Sequence, residues 1–211
     1  MHSINSTDDQ KKSSKTFIEQ ARRNQIIQTT IKVLAEYGYI NTSFSRIGQH
    51  AKISPSLISY HFKDKAELTC VTLQSILAER AKLVQERVEK EQTASDKLYA
   101  LIESDIANMS DRPEQFQAAA EIMFSFRADK GSLLYLGDSE SPLFTLLHNT
   151  LKEGKENGEF GNIDTYNLAV MIEGARDSFL AQLGVRPKLK VDPFTKTLLK
   201  TVMLAVKEGK K

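Results

Sequence analysis

Thr42-Ser43-Phe44-Ser45-Arg46-Ile47-Gly48-Gln49-His50-Ala51-Lys52-Ile53-Ser54-Pro55-Ser56-Leu57-Ile58-Ser59-Tyr60-His61-Phe62-Lys63-Asp64-Lys65 is the stretch whose reading decides the fold. Ser54 is a natural N-cap, because its hydroxyl can accept a bond from an amide of the first helical turn. Pro55 follows at the first helical position, where its missing N–H costs nothing. A helix therefore starts there. Thr42 and Ser43 offer the same kind of cap to a preceding helix, whose Ile47 and Ala51 form an apolar i, i+4 pair. Two short capped helices joined by a few residues form a helix-turn-helix, a geometry that can place its second helix in the major groove of DNA.

The second helix has two faces. Ile58 and Phe62 repeat at i, i+4 and can pack inward, while Ser54, Ser56, Ser59, Tyr60 and His61 present short polar groups on the other side. Lys63 and Lys65 follow at once, where ammonium groups would meet the phosphates flanking a groove. A solvated amphipathic helix in an ordinary helical protein would show the same periodicity.

Gly38-Tyr39, Thr42-Ser43, Ile47, Ala51, Ile53-Ser54, Ile58, Tyr60-His61-Phe62, Lys65 and Leu68 stand in an order and spacing that resemble the signature of the TetR family of bacterial transcriptional repressors. The resemblance spans about residues 17 to 70, and its ending, Tyr-His-Phe-Lys-x-Lys-x-x-Leu, is its most specific part. It implies an all-α fold, with a three-helix DNA-binding head on a larger helical body for ligand binding and dimerisation. Two positions depart from the family pattern. Lys52 stands where a turn glycine is usual, which implies a non-glycine residue in a left-handed conformation. Pro55 and Ser56 stand where Lys-Gly is common, so operator preference cannot be borrowed from relatives. The candidate DNA-contacting set is Thr42, Ser43, Ser45, Arg46, Ser54, Pro55, Ser56, Leu57, Ser59, Tyr60, His61, Lys63 and Lys65. Within it, Tyr60 and Lys65 are assigned to the backbone, and Ser56 and Leu57 to the bases.

Length and charge agree with that plan. At 211 residues and 40% hydrophobic, the chain can bury a sizeable core. Its net charge of +2 divides into +4 over residues 1–70 and −2 over the remainder, so the weakly basic end is the one carrying the motif. The single cysteine, Cys70, excludes an internal disulfide framework and reads as a buried thiol in a helix. No apolar run is long enough to span a bilayer, and the polar start has no signal-like core. A cytoplasmic protein without membrane attachment is expected.

The predicted organisation is helical throughout: a mobile tail at 1–16, a helix-turn-helix domain at 17–64 and a helical body at 65–211. The first helix runs from about Phe17 to Tyr37, with Ile26, Ile27, Thr30, Ile31 and Leu34 inward and Gly38 as its stop. A long helix from Lys65 to about Glu91 leaves the head. Further helices are expected near 94–108, 113–128, 141–157, 164–184 and 192–208. In Leu151 to Phe160, Gly158 is placed for positive φ and Phe160 for packing back.

The last two helices are apolar on more than one side, which calls for a second copy. Met171, Gly174, Ala175, Leu199, Val202, Met203 and Val206 form the expected homodimer interface, and the resemblance implies the same use of these helices. For ligands, Glu121 sits among Met123, Phe124 and Phe126 in an apolar run. Tyr99, Phe116, Phe144, Glu173 and Asp177 complete the candidate set, with Tyr135 and Phe179 further out. A cationic ligand would answer the Glu121 charge, and so would an internal partner such as Arg176 or a solvent-facing position. The four histidines are scattered, and no metal-ligand spacing, catalytic motif or phosphate-cradling loop occurs. Neither an enzyme nor a cofactor is expected.

These features predict a dimeric repressor that binds a palindromic double-stranded DNA operator and is released by a small apolar inducer. A chromosome-organising or division-control protein of the same fold, and a helical scaffold that never meets DNA, are the competing readings.

Overall fold

A computed structural model describes residues 6–125, 141–183 and 189–208. Among them every regular element is helical: α1 (Ser6–Asn41), α2 (Phe44–Ala51), α3 (Pro55–His61), α4 (Lys65–Val88), α5 (Ala94–Asp111), α6 (Pro113–Ser125), α7 (Pro142–Glu156), α8 (Thr165–Leu183) and α9 (Val191–Ala205). None of the described helices is long and apolar enough to cross a membrane. The segment read as a tail is helical from Ser6, since no Gly or Pro interrupts the run before Gly38. Residues 1–5 of that segment, together with Phe126 and Tyr135, lie outside the described residues.

Two compact units emerge. One holds the described residues up to Gln74 with Gln117–Ser125; the other holds Ser75–Phe116 and the described residues from Ser141 onward. In the first, Ile26, Ile27, Ile31 and Leu34 of α1 bury the predicted stripe, joined by Ile47, Ile58, Phe62 and Leu68. In the second, Val84, Leu98, Leu101, Ile106, Leu147, Leu151, Phe160, Leu199 and Val202 belong to one apolar cluster drawn from α4, α5, α7, α9 and the turn after α7. That turn follows the predicted form: Gly158 has φ +77° and Phe160 is buried.

A buried polar knot crosses the apolar second unit. Asp105 of α5, 1% exposed, receives Arg80 of α4 through two bonds of 2.6 and 2.8 Å and Arg176 of α8 at 2.8 Å. Arg176 also reaches Glu173 at 3.3 Å and Asp177 at 2.9 Å. Each buried charge thus has an opposite charge at hydrogen-bond distance, which is what burial of ions requires.

Candidate nucleic-acid interface

Local chemistry builds the helix-turn-helix as the sequence indicates. Ser43 Oγ accepts the Arg46 amide at 3.2 Å to cap α2, and Ser54 Oγ accepts the Leu57 amide at 3.2 Å to cap α3. Between them Lys52 is left-handed (φ 56°, ψ 44°), and the Ile53 amide closes back onto the Gly48 carbonyl at 2.9 Å. This six-to-one closure satisfies the end of α2 and turns the chain directly into α3. Gly48 is a functional requirement the sequence reading missed. A Cβ there would stand 2.7 Å from the Ile53 carbonyl oxygen, so only glycine lets the two strands of the turn approach. Its signal was a glycine inside an otherwise amphipathic helix.

α3 separates its faces as expected. Ile58 and Phe62 are fully buried, whereas Pro55, Ser56, Ser59 and Tyr60 are exposed, Tyr60 to 70%. Leu57 and His61 are half-buried, and the Tyr60 and His61 rings meet edge to face at 5.0 Å. Arg23 of α1 holds the far end of α3: its guanidinium lies 4.3 Å from the Phe62 ring centroid and donates to the His61 carbonyl. Ser43, Ser45, Ser54 and Lys63 are exposed on the same unit.

Three members of the predicted set are placed otherwise. Thr42 is 2% exposed and donates its hydroxyl to the Gly38 carbonyl at 2.8 Å, so it fixes the turn after α1. Arg46 lies over the Tyr37 ring, 4.5 Å from its centroid, and donates to the Asn41 carbonyl at 2.6 Å. Lys65 turns inward, donating to the Tyr39 and Ile40 carbonyls beside the Tyr39 ring, and burial lowers its ammonium pKa. A helix end offers carbonyls to whatever cation is near, and this local pull outweighs the solvent-facing position that spacing alone suggested.

The ligand candidates are not brought together. Glu121 accepts the Tyr39 amide at 2.8 Å through Oε2, while Arg176, its suggested internal partner, is taken by Asp105, Glu173 and Asp177. Phe124 is 71% exposed, Tyr99 is exposed and Met123 half-buried. Phe116 packs with Met109, Phe179 and Leu180, and Phe144 is buried in the larger cluster with its ring edge against Tyr166. A surface hollow of about 440 Å³ along α4, lined by Ala78, Ala81, Lys82, Gln85, Glu86, Glu89 and Pro142, includes none of them.

The dimer set also divides. Leu199, Val202 and Val206 are buried in the unit's own core, and Met203 packs against it, because α9 turns this stripe toward the larger cluster. Met171 and Gly174 are exposed and Ala175 half-buried. Val170 and Leu204, outside the predicted set, are exposed as well.

Residues 26–69 match the model of the family described as bacterial regulatory proteins, tetR family. The HTH-type transcriptional regulator HbdR of Aromatoleum sp. (strain CIB) is 38% identical over 58 residues, which is 28% of this chain but only 25% of HbdR. The HTH-type transcriptional regulator BetI of Klebsiella pneumoniae (strain 342) is 26% identical over 191 residues, 88% of this chain and 91% of BetI. Among solved structures, FadR from Bacillus subtilis, in complex with stearoyl-CoA, aligns with a TM-score of 0.71 at 18% identity, over 86% of this chain and 98% of that one. That likeness concerns the fold, whereas the motif and the family match concern the DNA-binding head. With caps, turn and exposed α3 face all in place, residues 26–69 form a helix-turn-helix head like that of the bacterial regulatory proteins of the tetR family.

Proposed function

We propose that the chain is a ligand-responsive repressor that binds a two-fold symmetric operator as a homodimer. The observation that carries this reading is the exposed α3 face of Pro55, Ser56, Ser59 and Tyr60, backed by the fully buried Ile58 and Phe62. Ser56 and the half-buried Leu57 read bases, Leu57 through a thymine methyl, and Tyr60 and Lys63 meet phosphates. The symmetric partner is a second copy, docked through exposed Val170, Met171 and Gly174 of α8 and Leu204 of α9. An apolar ligand acts on the body. The stearoyl-CoA held by the B. subtilis FadR makes long acyl thioesters the first class to test, with lipophilic cations as the comparison class.

Binding-site selection with the purified protein, followed by mobility shift on the recovered duplex and on the promoter region beside its own gene, tests the DNA reading. A recovered inverted repeat is the expected result, and failure to enrich any sequence overturns it. Titrating the protein–DNA complex with an acyl-CoA panel and a lipophilic-cation panel then assigns the inducer class, and retention of the operator throughout both rejects these two classes.

A further inference from the structure

The turn that carries the chain out of α1 is held from two distant helices. At Gly38 the backbone takes φ +74° and ψ 170°, which ends the helical path of α1. The next amide, that of Tyr39, donates to Glu121 Oε2 of α6 at 2.8 Å. The missing Cβ of Gly38 makes this approach possible, since one built there would stand 3.1 Å from the same oxygen. From the first residue of α4, Lys65 Nζ donates to the Tyr39 and Ile40 carbonyls. Thr42 closes the turn onto Gly38, and Ser43 immediately caps α2. Residues 38–42 therefore set the direction in which α2, and behind it α3, leaves α1. A carboxylate and an ammonium pin them, one from α6 and one from α4. Both of these helices begin in one compact unit and continue into the other.

We propose that Glu121 is a positioning residue for operator binding: through the Tyr39 amide it fixes the exit of α1 and the aim of the α2–α3 pair. The inference rests on the regulator reading above. It also gives Glu121 a different task from ligand recognition, because Oε2 is already occupied by the head. The interaction needs an acceptor oxygen of the right reach rather than a negative charge. Glutamine can supply that oxygen, and alanine cannot.

The test compares the full chain with Glu121→Gln and Glu121→Ala on the duplex selected by the unmodified protein. Glu121→Ala is expected to weaken binding by about tenfold, the scale of one charge-assisted hydrogen bond, and Glu121→Gln to restore most of the loss. The salt slope and the preferred half-site sequence should stay unchanged, since no phosphate or base contact is removed. Tolerance for a half-site spacer altered by one base pair should rise, which a change in stability alone would not produce. Hydrogen exchange at the Tyr39 amide should quicken in Glu121→Ala but not in Glu121→Gln. Equal operator affinity for the alanine variant and the unmodified protein, unchanged Tyr39 exchange, or a loss that merely tracks unfolding at the assay temperature would each overturn the proposal. If the unmodified protein selects no site at all, the regulator reading fails and takes the positioning role with it; normal Tyr39 exchange in Glu121→Ala separately refutes the anchor.

Discussion

Lys52 and Gly48 lie four residues apart and have opposite tolerances. Lys52 holds a left-handed conformation that L side chains adopt at a cost, so Lys52→Gly should stabilise the head by about 0.5 to 1 kcal/mol in urea unfolding. Gly48→Ala drives a methyl against the Ile53 carbonyl oxygen and should destabilise by about 1 to 3 kcal/mol. A Gly48→Ala protein as stable as the original would mean that the turn has room to spread. The two lysines after α3 separate in the same way. Lys63→Ala should lower the salt slope of operator binding by about one to two units per dimer, one contact per head. Lys65→Ala should weaken binding with the slope preserved, since its ammonium serves the Tyr39 and Ile40 carbonyls. A lowered slope for Lys65→Ala would return it to the phosphate-contacting set.

Between elements, the polar knot of α4, α5 and α8 makes the second unit sensitive to acid. Burial pushes the Asp105 carboxyl up, but the Arg80 and Arg176 guanidiniums outweigh burial and hold it below the usual carboxylate range. A pKa depressed on folding gives stability that is present above the unfolded value and is lost as pH falls through the folded one. Glu173 has the opposite sign: burial raises it against the pull of Arg176, so its contribution is full at low pH and is lost as pH rises through its folded value. Urea midpoints should therefore hold down to about pH 4, near the unfolded Asp value, and fall below it. Asp105→Asn takes the carboxylate from Arg80 and leaves Arg176 with Glu173 and Asp177 alone, and should cost about 3 to 5 kcal/mol at neutral pH, with a flatter acid limb. A variant whose acid limb matches the original would remove Asp105 as its source.

At the scale of the whole molecule, assembly turns on which apolar side chains remain uncovered. Charging Met171 or Leu204 should yield a folded monomer, because both are largely exposed in the single chain, at 69% and 62%. Operator affinity should fall with the dimer, since one head engages only one half-site. Charging Val202 should instead unfold the second unit, its side chain being buried among that unit's own residues. Light scattering paired with circular dichroism separates the two outcomes, and a monomeric unmodified protein at micromolar concentration would end the dimer proposal.

Elements governed by neighbouring residues were legible in the sequence. Ser43 and Ser54 cap the helices they were read to cap, Lys52 takes the left-handed turn, and Ile58 and Phe62 face inward from α3, because capping bonds and helical periodicity act within about one turn. Pro113 opens α6 and Ser141 caps α7 for the same reason. The use of the charged and apolar groups was decided only by tertiary structure. Glu121 meets an amide 82 positions away, Arg176 meets a carboxylate 71 positions away, and Val202 turns inward while Met171 does not. Periodicity shows that a helix has an apolar side and a charge. Which neighbour answers each of them depends on contacts between distant segments, and no local spacing encodes those.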